Sequence, residues 1–147
     1  MQHFIRQQVM LGDICIDATM GNGNDTALLS QLAGKRGRVL AFDIQKQALE
    51  HTKERLKRDN CPENYQLLLE SHENMDVYAE EETVSCITFN LGYLPGGDHS
   101  VATKADSSRK AVEAGLHLLK KGGLMTICIY SGGDTGFQER DAMLAFI

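Results

Sequence analysis

The chain has 147 residues, of which 42% are hydrophobic, and a formal net charge of −5. A chain of this length buries one sizeable core, so we predict one domain over residues 1–147, while the acidic balance excludes a broadly basic coat for nucleic acid. No apolar run approaches the roughly 20 residues of a membrane span and no signal-peptide core is present, so we expect a cytoplasmic protein without membrane contact.

Helix and strand patterns alternate from an amphipathic segment at residues 4–11 onward. Apolar runs predict strands at residues 14–17, 39–42, 66–69, 84–89 and 124–130. Helical spacing predicts helices after Asp25-Thr26, over residues 45–58, between an Asp106-Ser107 cap and a Gly122-Gly123 stop, and from residue 136 to 147. Continuously apolar strands are typical of parallel sheets that helices cover on both faces. The predicted fold class is therefore α/β, a Rossmann-like, doubly wound, mostly parallel sheet whose ligands bind outside the carboxyl ends of the strands.

The four cysteines are scattered without a CxxC pair, and three of them lie in the apolar, strand-like runs. A cysteine in such a run behaves as a small hydrophobic residue. This spacing argues against a zinc site or a disulfide framework, and we predict no metal.

The loop after the first strand, DATMGNGNDT at residues 17–26, places Gly21 and Gly23 before a helix. A Rossmann-type sheet brings its backbone against a nucleotide there, but a dinucleotide fingerprint wants glycine where Thr26 stands, so a pyrophosphate site is not supported. The pattern resembles the first motif of class I methyltransferases, whose glycines admit the amino-acid and ribose portions of S-adenosylmethionine. In that motif the acidic residue, here Asp17, can meet the ligand's ammonium. The alternative is that the glycines only form a tight turn.

Polar residues also end the next two strands. Asp43 follows the second strand, where a carboxylate can accept hydrogen bonds from both ribose hydroxyls, although it could instead cap the following helix. Residues 70–74, ESHEN, follow the third strand where an adenine edge would lie. A lone His72 is more often an exposed loop residue, so it counts here only as part of this set.

The fourth strand leads into FNLGYLPGGD, residues 89–98. Asn90-x-x-Tyr93 resembles the Asn-Pro-Pro-Tyr type motif of amino-group methyltransferases, in which the asparagine carbonyl and a backbone carbonyl accept hydrogen bonds from the target NH₂ and the aromatic ring stacks on the base. Leu91 and Gly92 replace the prolines, so the backbone carbonyl need not point the same way. The alternative is that Asn90 caps a turn and Tyr93 packs on the core.

Together these stretches make the chain similar to the rRNA methylase family of small bacterial methyltransferases, whose members include the tRNA enzyme that methylates 5-aminomethyl-2-thiouridine at the wobble position. The resemblance is carried by DATMGNGND, AFDIQ, SHENM, FNLGYLPGGDHS and IYSGGDTGF. It implies methyl transfer from S-adenosylmethionine to an amine of a modified uridine in RNA, with ribosomal RNA or a small amine as alternative acceptors. It implies cofactor contacts by Asp17, Thr19, Gly21, Asn22, Gly23, Asn24, Asp25, Asp43, Ile44, Gln45, Ser71, His72, Glu73, Asn90, Leu91 and Gly92, and a transfer site from Asn90 to Tyr93.

The acceptor and the RNA need further residues. An aliphatic ammonium has no lone pair, so the acceptor must lose a proton before attack, and Asp98 or His99 is our candidate base. The alternative is a turn-stabilising Asp98 and a solvated His99. Most basic residues lie away from the predicted site, which leaves Lys104 and Arg109 as candidate phosphate contacts for an anticodon stem-loop.

Class I methyltransferases usually continue into two more strands, so the resemblance implies a chain shortened at its C-terminus. The fifth strand would then be an edge unless the C-terminal helix or a partner in a homodimer covers it. Two rival functions stay open. One is an NAD-dependent oxidoreductase that shares Asp43 and the glycine loop but is disfavoured by Thr26, and the other is a domain that binds S-adenosylmethionine without turnover.

Overall fold

The computed structural model describes the backbone of residues 2–93, 99–132 and 138–146 and the side chains of residues 2–91 and 107–128. The helices are α1 Gln2–Gln8, α2 Asn24–Ala33, α3 Lys46–Arg58 and α4 His99–Leu118, with a 3₁₀ helix at His72–Val77. The strands are β1 Ile14–Asp17, β2 Arg38–Asp43, β3 Tyr65–Leu69, β4 Val84–Tyr93, β5 Leu119–Gly132 and β6 Gln138–Phe146. None of the described helices is long and apolar enough to cross a membrane.

The strands form one sheet in the order β3-β2-β1-β4-β5-β6. The first five in this order are parallel, and β6 is antiparallel to β5. The strand order reverses between the neighbouring strands β1 and β4. The loops that follow these two strands lead to opposite faces of the sheet, so a crevice opens between them. This arrangement confirms the predicted doubly wound parallel sheet and its ligand-binding edge.

Helices cover both faces of the sheet, as the apolar strands predicted. Successive side chains of β2 point to opposite faces. Val39 packs with α1 and α2, whereas Leu40 and Phe42 pack with α4 and the 3₁₀ helix. All three side chains are fully buried, and burial of each contributes about 1.5–3 kcal/mol to stability. The packing of helices on both faces positions the sheet and, with it, the loops at its carboxyl edge.

The C-terminal helix predicted from residue 136 is wrong. Residues 138–146 form β6, which pairs with β5 from Leu124 opposite Phe146 to Gly132 opposite Gln138. The backbone groups along the edge of β5 need hydrogen-bond partners, and this requirement outweighs the helical spacing of the segment. Because β6 covers β5, neither a helix nor a partner subunit is needed at that edge.

The predicted bounds of α4 also need correction. The helix begins at His99 rather than at the Asp106-Ser107 cap, and it ends at Leu118 because Leu119 already pairs with Val84. Gly122, with φ of 83°, lies inside β5, where the register against β4 shifts. The glycine pair therefore marks an irregular start of β5 and does not end the helix.

Candidate functional site

A cavity of about 360 Å³ lies at the carboxyl ends of β1 to β4. Its lining is Ala18, Thr19 and Gly21 after β1, Asp43, Ile44 and Gln45 after β2, Glu70, Ser71 and His72 after β3, Asn90 and Leu91 in β4, and Ser107 and Ser108 in α4. The structure thus brings together residues that the sequence predicted separately at the ends of four strands. We call this space the first cavity.

Asp43 links β2 to the glycine loop. Its Oδ2 accepts a hydrogen bond from the Gly21 amide at 3.2 Å, and its Oδ1 accepts one from the Gln45 amide at 2.9 Å. The helix-cap alternative does not hold, because Gln45 occupies the cap position of α3. A carboxylate has about four acceptor positions, so Asp43 can accept further hydrogen bonds from a ligand in the first cavity.

The two loop glycines serve different purposes. Both have positive φ, 51° at Gly21 and 85° at Gly23, a region that favours glycine. A Cβ on Gly21 would meet only the Thr19 carbonyl, at 3.9 Å, whereas a Cβ on Gly23 would lie 2.9 Å from the Thr52 Cα. Gly21 therefore leaves space beside the cavity. Gly23 instead lets α2 pack closely on α3, so the tight-turn interpretation applies to it.

Asp17 lies beneath the loop. It is fully buried, its Oδ2 accepts from the Thr26 hydroxyl at 2.6 Å, and its Oδ1 accepts from the Thr19 amide at 3.1 Å. Burial raises the pKa of Asp17 to about 7, and the charge of Asp25 adds to the effect. Asp17 lines neither this cavity nor the second one described below, so its contact with a ligand ammonium stays a prediction. Asp17 braces the loop through the hydrogen bonds that it accepts from the Thr26 hydroxyl and the Thr19 amide.

A second cavity, of about 540 Å³, adjoins the loop. Its lining is Gln2, His3, Thr19, Met20, Gly21, Asn22, Asn24, Asp25, Asn90 and Cys128. It shares Thr19, Gly21 and Asn90 with the first cavity. Asn22, Asn24 and Asp25, which the family resemblance assigned to the cofactor, lie here, so the predicted cofactor residues divide between two adjoining spaces.

Asn90 lies where the two cavities meet. Its backbone amide donates to the Thr19 hydroxyl at 2.6 Å, and its Nδ2 donates to Asp25 Oδ2 at 2.7 Å. Because a carboxylate only accepts, this bond turns the NH₂ of Asn90 toward Asp25 and fixes the direction of its carbonyl Oδ1. Asn90 lies inside β4, where it pairs with Cys128 of β5, so it does not cap a turn.

His72 is held in one orientation. Its Nδ1 is 3.0 Å from the Ala18 carbonyl, and its ring lies 5.6 Å from that of Phe89. A carbonyl oxygen only accepts, so Nδ1 carries the hydrogen and Nε2 is the acceptor of the neutral ring. Burial lowers the pKa of His72 and favours this neutral form. His72 is therefore not an exposed loop residue, whereas Glu73 lines neither cavity.

The candidate acceptor and RNA residues are described only in part. Asp98 lies outside the described residues, and Gly92, Tyr93, His99 and Lys104 are described by their backbone alone, in β4 and α4. Arg109 is described, and its Nη1 lies 3.2 Å from Glu113 Oε1 in an ion pair whose side chains are both more than half exposed. Such an exposed pair is weak.

Sequence reasoning missed residues on α1 and α4. Ser107 and Ser108 line the first cavity, and Gln2 and His3 line the second. A signal for the serines existed, since Ser108, Ala111 and Gly115 recur at helical spacing and are buried. The N-terminal residues carry no such pattern, so only the folded chain places them at the site.

Comparison with known proteins gives one consistent result. The family described as "Putative rRNA methylase" matches residues 39–147. The tRNA (mnm(5)s(2)U34)-methyltransferase of Arabidopsis thaliana chloroplasts is 38% identical over 98% of this chain, and the chain spans 56% of that relative.

Solved structures agree. An rRNA methylase from Streptococcus thermophilus is 43% identical, with a TM-score of 0.74 over 95% of this chain and 73% of its own. A Streptococcus mutans protein, solved with S-adenosylhomocysteine, is 41% identical, with a TM-score of 0.74 over 91% of this chain and 72% of its own. With the family match over most of the chain, these likenesses confirm the predicted resemblance: the chain belongs to the rRNA methylase family.

Proposed function

We propose that the protein binds S-adenosylmethionine and transfers its methyl group to the amine of a modified uridine in RNA, the 5-aminomethyl group of wobble 2-thiouridine in tRNA. The observation that carries the proposal is a pair of adjoining cavities that share Thr19, Gly21 and Asn90 and together form the crevice. It has an acceptor carboxylate, Asp43, on one side of the glycine loop, and an oriented amide, Asn90, at the junction of its two halves.

The first cavity suits the nucleoside half of the cofactor. Asp43 can accept hydrogen bonds from the ribose hydroxyls beside the Gly21 backbone. Ile44 and Leu91 supply apolar surface for a flat base, while hydroxyl and imidazole groups at Ser71 and His72 supply donors and acceptors for its edge. The Streptococcus mutans relative, solved with S-adenosylhomocysteine, supports the same ligand for this chain.

The methyl transfer depends on alignment of the amine with the methyl group and needs no covalent bond to the protein. The amine nitrogen attacks the methyl carbon in line, the new N–C bond forms as the S–C bond breaks, and that electron pair returns to sulfur. A proton leaves the amine, and Asp98 or His99 remains our candidate acceptor for it. Asp25 turns the Asn90 carbonyl, which can then accept a hydrogen bond from the target amine.

The proposed identity of the methyl acceptor is supported by the relatives more than by the geometry of the site. The Arabidopsis relative is named as a wobble-uridine methyltransferase, which supports tRNA over ribosomal RNA and small amines. We propose Lys104 and Arg109, on α4 beside the first cavity, as phosphate contacts. A phosphate would compete with Glu113 for Arg109, and the weak exposed pair permits that exchange.

The decisive experiment is an incubation of the protein with labelled S-adenosylmethionine and undermodified tRNA, followed by nucleoside mass spectrometry. We expect a methylated aminomethyl-thiouridine. Asn90→Ala should reduce turnover about 100-fold, the scale of one lost transition-state hydrogen bond, and change the Kd of S-adenosylhomocysteine by less than about threefold. Gln66→Ala, an exposed amide on β3, is the matched control and should retain activity.

The rival functions give different results in the same preparation. A domain without turnover would bind S-adenosylhomocysteine and label no RNA. An oxidoreductase would bind NADH in preference to S-adenosylhomocysteine. Either result would contradict the proposed methyl transfer.

A further inference from the structure

Helix α1 runs across the sheet toward the functional edge. Ile5 is buried in the core beneath α2, and the Gln8 Nε2 donates to the carbonyls of Ser85 and Gly122, at 3.2 and 3.0 Å, near the starts of β4 and β5. The last turn of α1 therefore lies at the amino ends of these strands. Its first turn points the other way and reaches the second cavity, where Gln2 and His3 form part of the lining.

The second cavity has the polar groups that a free amino acid requires. Asp25 is a carboxylate that can meet an ammonium. The described lining holds no lysine or arginine, so a ligand carboxylate there would be met by neutral donors or by imidazole. Besides Thr19, Asn90 and the loop backbone, the donor side chains are Gln2, His3, Asn22 and Asn24. Two of the four come from α1, which sequence reasoning did not connect with the site.

The residues shared by the two cavities indicate which part of the ligand lies in which cavity. With the ribose at Asp43, as proposed above, the nucleoside lies in the first cavity, and Gly21 and Asn90 line both cavities. A cofactor whose nucleoside occupies the first cavity therefore has its sulfur near the junction. Its amino-acid part then extends into the second cavity.

We propose that Gln2 and His3, on the first turn of α1, bind the carboxylate of the amino-acid half of S-adenosylmethionine, so that the N-terminal helix is part of the cofactor site. This inference rests on the proposed function, because it requires that cofactor in the crevice. The proposal adds two binding residues from a segment outside the glycine loop. Helix α1 would then bind the cofactor as well as pack on the sheet.

The test compares two ligands that share a nucleoside. S-adenosylhomocysteine contains the amino-acid part, and 5′-methylthioadenosine lacks it. Calorimetric titration should show that Gln2→Ala and His3→Ala each weaken the binding of S-adenosylhomocysteine about 10- to 100-fold, the scale of a hydrogen bond to a charged group, and leave that of 5′-methylthioadenosine within about twofold.

Matched controls exist in the same chain. Gln7→Ala changes an exposed glutamine on the same helix, and His51→Ala changes an exposed histidine on α3. Neither residue lines either of the two cavities, so both variants should bind the two ligands as the unmodified protein does. Circular dichroism of all four variants reports whether α1 remains folded.

Each other outcome is informative. Equal loss of both ligands in the Gln2 and His3 variants would mean general damage to the site and would overturn the assignment. Unchanged S-adenosylhomocysteine binding with a raised KM for RNA would move these residues to the acceptor and would overturn it too. If the unmodified protein binds neither ligand, the proposed cofactor itself fails.

Discussion

The carboxyl group of Asp17 lies under the glycine loop between the Thr26 hydroxyl and the Thr19 amide. At the scale of single residues, this position explains why threonine stands where a dinucleotide site would have glycine. The Thr26 side chain is fully buried and donates the shortest of these hydrogen bonds. The loop is therefore held from within the protein.

The pKa of Asp17 makes a prediction about stability. Burial raises this pKa from its ordinary value of 3.8 to about 7, so between these values the folded protein binds more protons than the unfolded chain. Stability must then fall as pH rises from about 4 to 7, by up to about 4 kcal/mol from this group. Asp17→Asn should flatten the pH dependence of the urea midpoint over that window.

The control for Asp17 is Asp76→Asn, which changes an exposed carboxylate. Burial lowers the pKa of His72, so its contribution to stability is lost as pH falls, the opposite sign. His72 contributes equally in both proteins. Subtracting the pH dependence of the urea midpoint of Asp17→Asn from that of the unmodified protein therefore removes the contribution of His72. Identical curves for the two proteins would contradict a buried Asp17 with a raised pKa.

Asp43 gives a second prediction at this scale. Its replacement by Ala removes the proposed ribose acceptor and the bond to Gly21. We expect about 10- to 100-fold weaker binding of both S-adenosylhomocysteine and 5′-methylthioadenosine, because both ligands contain the ribose. A loss confined to S-adenosylhomocysteine would place the ribose elsewhere.

At the scale of elements, the glycine loop couples α2, α3 and β2. The Thr52 hydroxyl of α3 donates to the Gly21 carbonyl at 3.1 Å, while the Gly21 amide donates to Asp43 at the end of β2. Gly23 caps α2 so near to α3 that a Cβ there would lie 2.9 Å from the Thr52 Cα. The loop therefore keeps its shape because three elements hold it.

Replacing the two loop glycines by alanine should lower the free energy of unfolding by unequal amounts. Gly21→Ala introduces strain at positive φ without a close contact, about 1 kcal/mol. Gly23→Ala adds a clash with the Thr52 backbone, and we expect about 2–4 kcal/mol lower free energy of unfolding. Urea denaturation of both variants measures the difference. Equal losses would show that α2 and α3 do not pack as closely as the structure has them.

At the scale of the whole molecule, charge limits how RNA can bind. The chain has a net charge of −5, so an RNA site must depend on a few local cations. If Lys104 and Arg109 contact phosphates, the slope of log affinity against log salt should be shallow. Changing both to Ala should reduce its magnitude by about 2. Lys53→Ala with Lys57→Ala, exposed residues on α3, is the control pair and should leave the slope unchanged.

Local pattern was sufficient for the presence of β1 to β5, though not for the start of β5, and for the polar ends of the strands. Apolar runs must be buried, and parallel strands bring their carboxyl ends to one edge, so the sequence alone could place Asp43, Ser71, His72 and Asn90 around one crevice. The same reasoning failed for β6. Its segment has helical spacing, and the demand of β5 for hydrogen-bond partners, which is a property of the sheet, decided its conformation.

The sequence by itself determined the fold class, the family and most residues around the first cavity, because these depend on short motifs and on alternation along single elements. Only the tertiary structure decided that Asp17 braces the loop, that Gly23 serves helix packing, and that Gln2 and His3 reach the second cavity. The packing of Gly23 on Thr52 and the reach of α1 depend on contacts between residues far apart in the chain, and the brace at Asp17 depends on the loop closing over a buried carboxyl group. Such contacts arise only when helices pack on the sheet, and no spacing within one segment encodes them.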